Sequence, residues 1–142
     1  MIPRYSKTSK QRLATCHPAL QDIFNDVIRY FDCTIICGHR GKEAQNAAYA
    51  KKKSKVVYPD SKHNYEVAMA VDACPYPVDW GDTDRMYFFG GFVIAHARIK
   101  GIPIRWGGDW DSDTFVHDQK FIDLAHFELI VNLNKTGKIE VV

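Results

Sequence analysis

An aspartate stands inside an otherwise apolar run, Ala68-Met-Ala-Val-Asp72-Ala-Cys74, and this feature constrains the chain more than any other. The run from Val67 to Ala73 has the composition of a buried strand. An ionised carboxylate in such a strand is costly unless it is paired or bound to a metal. The fold therefore has to bring a cation or a set of proton donors to Asp72. His63 lies nine residues earlier, and a hairpin-like return would place its imidazole beside that carboxylate.

The rest of the chain supplies a frame for such a strand. With 142 residues, 46% hydrophobic and 25% charged, it reads as one soluble domain, residues 1–142, large enough to hold a core without disulfides. Apolar spacing predicts helices over Lys10–Thr15, Pro18–Phe31, Lys42–Lys53 and Thr83–Lys100. Gly101 and Pro103 stop the last of these, and Gly90-Gly91 inside it points to close packing. Strands are expected at Cys33–Cys37, Ile102–Trp106 and Phe127–Val131, with a loop at Gly107–Asp113, a turn at Asn134–Gly137 and a tail from Lys138 to Val142. Helices first, then strands mixed with one long helix, predict a small α+β domain with an antiparallel sheet flanked by helices.

Composition excludes several classes. No apolar run reaches the roughly 20 residues of a membrane span, so no stable membrane association is expected. Basic residues at the start are not followed by an apolar segment of signal-peptide type. Nineteen basic against seventeen acidic residues give no bulk charge for nucleic-acid binding, and no nucleic-acid motif accompanies the run KKKSK at Lys51–Lys55. That run is either a solvated face or a point of attraction for an anionic polymer such as a bacterial cell wall. The cysteines, Cys16, Cys33, Cys37 and Cys74, lack metal-finger spacing and read as reduced, buried thiols.

A second acidic and imidazole cluster, Asp123-Leu-Ala-His126-Phe-Glu128, completes a candidate set. His63, Asp72 and His126 would give three protein ligands with an open fourth position, the arrangement of a catalytic zinc site, with Asp123 left over as a base. Spacing alone leaves ordinary hydrogen-bonded histidines as the alternative, since the chain offers six His and seventeen carboxylates. Glu128, two positions from His126, shares its face on a strand and is placed to orient a ligand or the substrate. Trp106, Asp109 and Trp110 are candidates for lining a cleft, with plain packing as the other reading. His17, His39, His96 and His117 read as structural or exposed.

At these residues the sequence resembles peptidase family M15, in particular the phage endolysins that cleave L-alanyl-D-glutamate or D-alanyl-D-alanine bonds. The matching pieces are GHR at Gly38–Arg40, the stretch Lys42–Asn64, AVDACPYPVDW at Ala70–Trp80, Phe92–Asp111 and DLAHFEL at Asp123–Leu129. The stretch between His63 and Asp72 differs from the broad family pattern in having no glycine. The resemblance implies a hedgehog/DD-peptidase-like fold, His63, Asp72 and His126 as zinc ligands, Asp123 as catalytic acid and base, and Arg40 as the cation that steadies the oxyanion. It implies hydrolysis of a stem-peptide bond of bacterial peptidoglycan, L-alanyl-D-glutamate before D-alanyl-D-alanine, by a monomer that accumulates in the host cytoplasm and reaches the wall during lysis. A carboxypeptidase or dipeptidase, and a non-catalytic zinc-stabilised wall-binding module, are the alternatives. Asp123 argues against the module, which needs no free carboxylate beside a ligand.

Overall fold

The computed structural model describes residues 2–133 and 139–142. Four strands, β1 (Cys33–Cys37), β2 (Ala70–Pro75), β3 (Ile104–Gly107) and β4 (Asp123–Leu129), form an antiparallel sheet in the order β1-β2-β4-β3. Four helices accompany it: α1 (Lys7–Leu13), α2 (Pro18–Val27), α3 (Lys42–Ala50) and α4 (Thr83–Ile99), with a 3-10 turn at Lys62–Asn64. A separate pair, β5 (Val131–Leu133) and β6 (Ile139–Val141), is antiparallel. The α+β architecture with an antiparallel sheet is the one expected from the order of elements. The expected turn at Asn134–Gly137, with Lys138 of the tail, lies outside the described residues.

The core forms where α2 and α4 lay their apolar stripes on one face of the sheet. Leu20, Ile23, Phe24 and Val27 of α2 meet Phe89, Val93 and Ala97 of α4 and Ile35, Val71, Ala73, Phe127 and Leu129 of the strands, all buried. Phe127 takes edge-on contacts from Phe24 and Phe89, with centroids 5.6 and 6.1 Å away. Alternation along β4 then turns His126 and Glu128 to the opposite face. Burying Phe127 on one side thus fixes which side carries the polar residues, because a one-residue slip would exchange the two faces.

Element ends differ from expectation for identifiable reasons. α1 starts earlier, at Lys7, because the Ser6 hydroxyl accepts from Ser9 N and caps it. α2 closes at Val27 rather than Phe31, yet Phe31 still packs against Phe88, Phe89 and Phe92 of α4. α3 ends at Ala50, before the lysine run. β2 begins at Ala70, since Ala68 and Met69 spend their backbone groups on Thr15, His17, Lys62 and Leu129, and it continues to Pro75 opposite Cys33. β3 runs over Ile104–Gly107, and β4 starts four residues early because Asp123 pairs with Gly107. The two glycines of α4 part company. A Cβ on Gly90 would overlap the Trp106 indole, whereas Gly91 faces open space and nothing in the structure explains it. No described helix is long and apolar enough to cross a membrane.

Candidate active site

The strand register answers the problem posed by Asp72. Asp72 is directly opposite Cys37 on β1 and directly opposite His126 on β4, and directly opposed residues project to the same face. His63 arrives from the 3-10 turn rather than from a hairpin strand. The Ser61 hydroxyl accepts from His63 N, the Asn64 side chain returns a bond to Ser61 N, and Met69 N donates to Lys62 O to close the turn against β2.

The result is convergence on one atom. His63 Nε2 and His126 Nδ1 stand 3.2 and 3.1 Å from the same Asp72 Oδ1, while Arg40 Nη2 donates to Asp72 Oδ2 at 3.4 Å. The far nitrogen of each ring has its own partner. His63 Nδ1 lies 2.7 Å from Gly38 O and His126 Nε2 lies 2.9 Å from Glu128 Oε1. An imidazole that donates outward to a carbonyl or carboxylate is fixed in orientation, and displacing the proton on its inward nitrogen exposes a lone pair there, which is how histidines are set for metal. The donor set His63, Asp72 and His126 thus fits a divalent ion on the chemistry of its atoms. Among the described residues, the ligand atoms of Cys37, His63 and Asp72 all lie within 4.8 Å of one another; His126 is outside that tight group and joins the site through Asp72 Oδ1.

Electrostatics follow the geometry. Burial works against charge on all three groups, but the mutual hydrogen bonds win: Asp72 is held well below the usual carboxylate range, His63 is pushed up to about 10 by Asp72 and Cys37, and His126 to about 9 by Asp72 and Glu128. Cys37, although burial opposes it, is lowered by His63 and Arg40. Glu128 is nearly buried and is held low by His126, Lys62 and Arg105. Lys62 Nζ and Arg105 Nη2 reach its Oε2 at 2.7 and 2.9 Å. Asp123 moves the other way: burial, and next the Asp72 charge, raise its pKa.

Asp123 reaches this cleft through an irregularity. It is three residues from His126, a spacing that in a regular strand points to the opposite face. Between Trp106 and Gly107 the β3–β4 register shifts, so that one step on β3 spans Phe127 to Asp123 on β4. Such a bulge re-aims a side chain. Gly107 is required there, because a Cβ would overlap the Asp123 carbonyl.

A cleft of about 370 Å³ opens over the group, lined among others by Arg40, His63, Asp72, Asp123, His126 and Glu128. Trp110 lines it as well, stacking on Phe121 and lying 5.6 Å from the His126 ring. Trp106 does not, since it packs against Phe127 and donates Nε1 to Leu124 O. Asp109 is a correction to the sequence expectation. Its carboxylate turns into its own loop and accepts from Asp113 N and Thr114 N at 3.2 and 2.9 Å. Of the remaining histidines, His17 caps α2, His39 meets Tyr65 O, His96 bonds Phe92 O and pairs with Asp26, and His117 packs on Tyr87. Cys16, Cys33 and Cys74 are buried thiols, each pushed up to about 12 by burial. Sequence reasoning missed Cys37, Lys62 and Gln45. The first two left a signal in sitting next to Gly38-His39-Arg40 and His63, and Gln45 left none.

Comparison with protein families matches residues 1–130 to a model described as phage L-alanyl-D-glutamate peptidase. Among solved structures, the crystal structure of the Serratia marcescens L-Ala D-Glu endopeptidase ChiX is similar, with a TM-score of 0.69 and 25% identity over 89% of this chain and 90% of that one. Comparison with curated proteins gives no match.

Proposed function

The chain belongs to the phage L-alanyl-D-glutamate peptidase family, and on that premise we propose how its cleft carries out peptidoglycan hydrolysis. His63, Asp72 and His126 hold zinc, Asp123 is the general acid and base, and Arg40 stabilises the oxyanion. The observation that carries this reading is the pair of inward-facing imidazole nitrogens at 3.2 and 3.1 Å from one carboxylate oxygen, on the floor of a cleft that Asp123 also lines.

Zinc bound there supplies a Lewis acid and lowers the pKa of a coordinated water from 15.7 to about 7. Asp123 takes the proton of the attacking water and returns it to the departing amine. Its raised pKa suits a group that must hold that proton between two steps. Arg40 is fixed on one edge by Gln45 Oε1 at 3.0 Å. Its Nη2 rests on Asp72 Oδ2 and the guanidinium lines the cleft, a positive charge beside the place where negative charge builds on the substrate oxygen. Glu128, locked by Lys62 and Arg105, holds the His126 ring in register. No covalent intermediate is needed.

The bond cleaved is L-alanyl-D-glutamate, and the chain acts as a monomeric endolysin that waits in the host cytoplasm until lysis opens a path to the wall. Mass spectrometry of fragments released from purified peptidoglycan tests this reading: the new amino terminus is expected to be D-glutamate. An Asp123→Ala variant that keeps its zinc should fail to clear permeabilised bacteria. Clearing equal to that of the wild type would end the assignment of Asp123.

A further inference from the structure

The lysine run after α3 has no part in the reaction just described, yet the fold fixes it to the cleft. Gln45, fully buried, donates Nε2 to Ser54 Oγ at 2.8 Å and to Val56 O at 2.7 Å. Its Oε1 accepts from Arg40 Nη1 at 3.0 Å and from Asn64 Nδ2 at 3.2 Å. One buried amide thus ties residues 54–56 to Arg40 and to the turn that carries His63.

Lys55 is further held from the other side. Its ammonium stands 5.1 Å from the centroid of the Phe121 ring, Phe121 stacks on Trp110, and Trp110 lies against His126. A cation over an aromatic face is attracted by the ring quadrupole. The other cations at the floor of the cleft are engaged, Arg40 with Asp72, and Lys62 and Arg105 with Glu128. Lys53 and Lys55 line the cleft with no carboxylate partner among the described residues, and only Lys55 has a ring beneath it.

The substrate has a group that matches. A glutamyl residue joined through its amine to L-alanine carries two carboxyl groups, and the onward peptide uses one. The other, unless amidated, is a carboxylate on the leaving-group side of the bond to be cut. We propose that Lys55 binds this free carboxylate and is a specificity-determining residue that selects D-glutamyl over amidated stem peptides. This inference rests on the L-alanyl-D-glutamate reading above.

The test compares two synthetic stem peptides, one with the free carboxylate and one with the corresponding amide, on the zinc-loaded wild type, Lys55→Ala and Lys55→Arg. The wild type is expected to prefer the acid by about tenfold in kcat/KM, the scale of one charge-assisted contact at a half-open site. Lys55→Ala should bring that ratio close to one, through KM on the acid peptide, and Lys55→Arg should restore most of it. A ratio internal to each variant is insensitive to the fraction of folded protein. Equal handling of both peptides by the wild type, or an unchanged ratio in Lys55→Ala, overturns the inference. If the products of the wild type do not begin with D-glutamate, the underlying reading fails instead, and the products distinguish the two failures.

Discussion

Two acidic clusters stand within reach of each other in this fold, and they resolve the same problem in opposite ways. In the sheet, Asp72 has strands on both sides, so its partners are imposed from elsewhere in the chain: His63, His126 and Arg40. In the loop after β3, Asp109, Asp111 and Asp113 also bring their carboxylate oxygens within 4.8 Å of one another. There, however, the oxygens accept from backbone amides of the same loop, Asp113 N, Thr114 N and Phe115 N, and two of the three residues are exposed. A carboxylate on a turn satisfies itself locally. A carboxylate at the centre of a sheet cannot, and it draws in histidines whose far nitrogens are already occupied. Chemistry belongs to the second kind.

The contrast breaks most sharply at Asp123. Asp123→Ala should lower turnover by about a thousandfold while the bound metal stays, the scale of a lost general acid and base. A loss under about tenfold would move the acid and base elsewhere. Metal analysis beside a peptide-release assay checks both halves. The next effect is at Glu128, which acts through the ring it orients. Glu128→Gln should weaken zinc affinity by about ten- to a hundredfold, read by competition with a chromogenic chelator.

Proton linkage sharpens the comparison further. With metal removed, His63 and His126 are charged at neutral pH, since their pKa values rise to about 10 and 9. Zinc must displace both protons, so affinity should climb with pH by up to about a hundredfold per unit around pH 7. Calorimetry in buffers of different ionisation enthalpy counts the protons released. The stability sign is the reverse. In the metal-free protein the His–Asp–His pairing is at full strength below the unfolded histidine value of about 6.5 and is lost as pH rises through about 9 to 10. The smallest effect belongs to the loop. Asp111→Asn should change urea stability by less than about 0.5 kcal/mol and leave turnover alone, and a larger change in turnover would give the loop a part in catalysis.

What could be read from residues alone follows the same division. Asp72 was legible because a charge in an apolar strand demands partners, and His126 with Glu128 because a spacing of two on a strand shares a face. Spacing offered His63 and Asp123 as candidates without fixing them, since six His and seventeen carboxylates allow many such sets, and assigning Arg40 needed family resemblance. The 3-10 turn at Lys62–Asn64 and the bulge at Trp106/Gly107 that deliver two of them leave no periodic trace. Cys37 left only its place beside Gly38-His39-Arg40 as a signal. It joins the group only through its pairing with Asp72, and strand register is a property of two distant segments at once. Gln45 looked like any polar residue on an alanine-rich helix, yet it is completely enclosed because four bonds to other segments replace its water. Asp109 misled because acidity beside a tryptophan suggests a cleft, and the competing demand of the turn amides prevailed.

Gly38 shows how far control of the cleft extends. Its carbonyl receives the His63 Nδ1 proton, and a side chain at this position would collide with Arg12 O and Thr15 Oγ1 at the end of α1. His39 N also donates to Thr15 Oγ1, and Arg12 Nη1 to Ile35 O. The outward hydrogen bond that orients the His63 ring therefore depends on where α1 ends, and the amino-terminal segment works as a jig for an imidazole some fifty residues downstream.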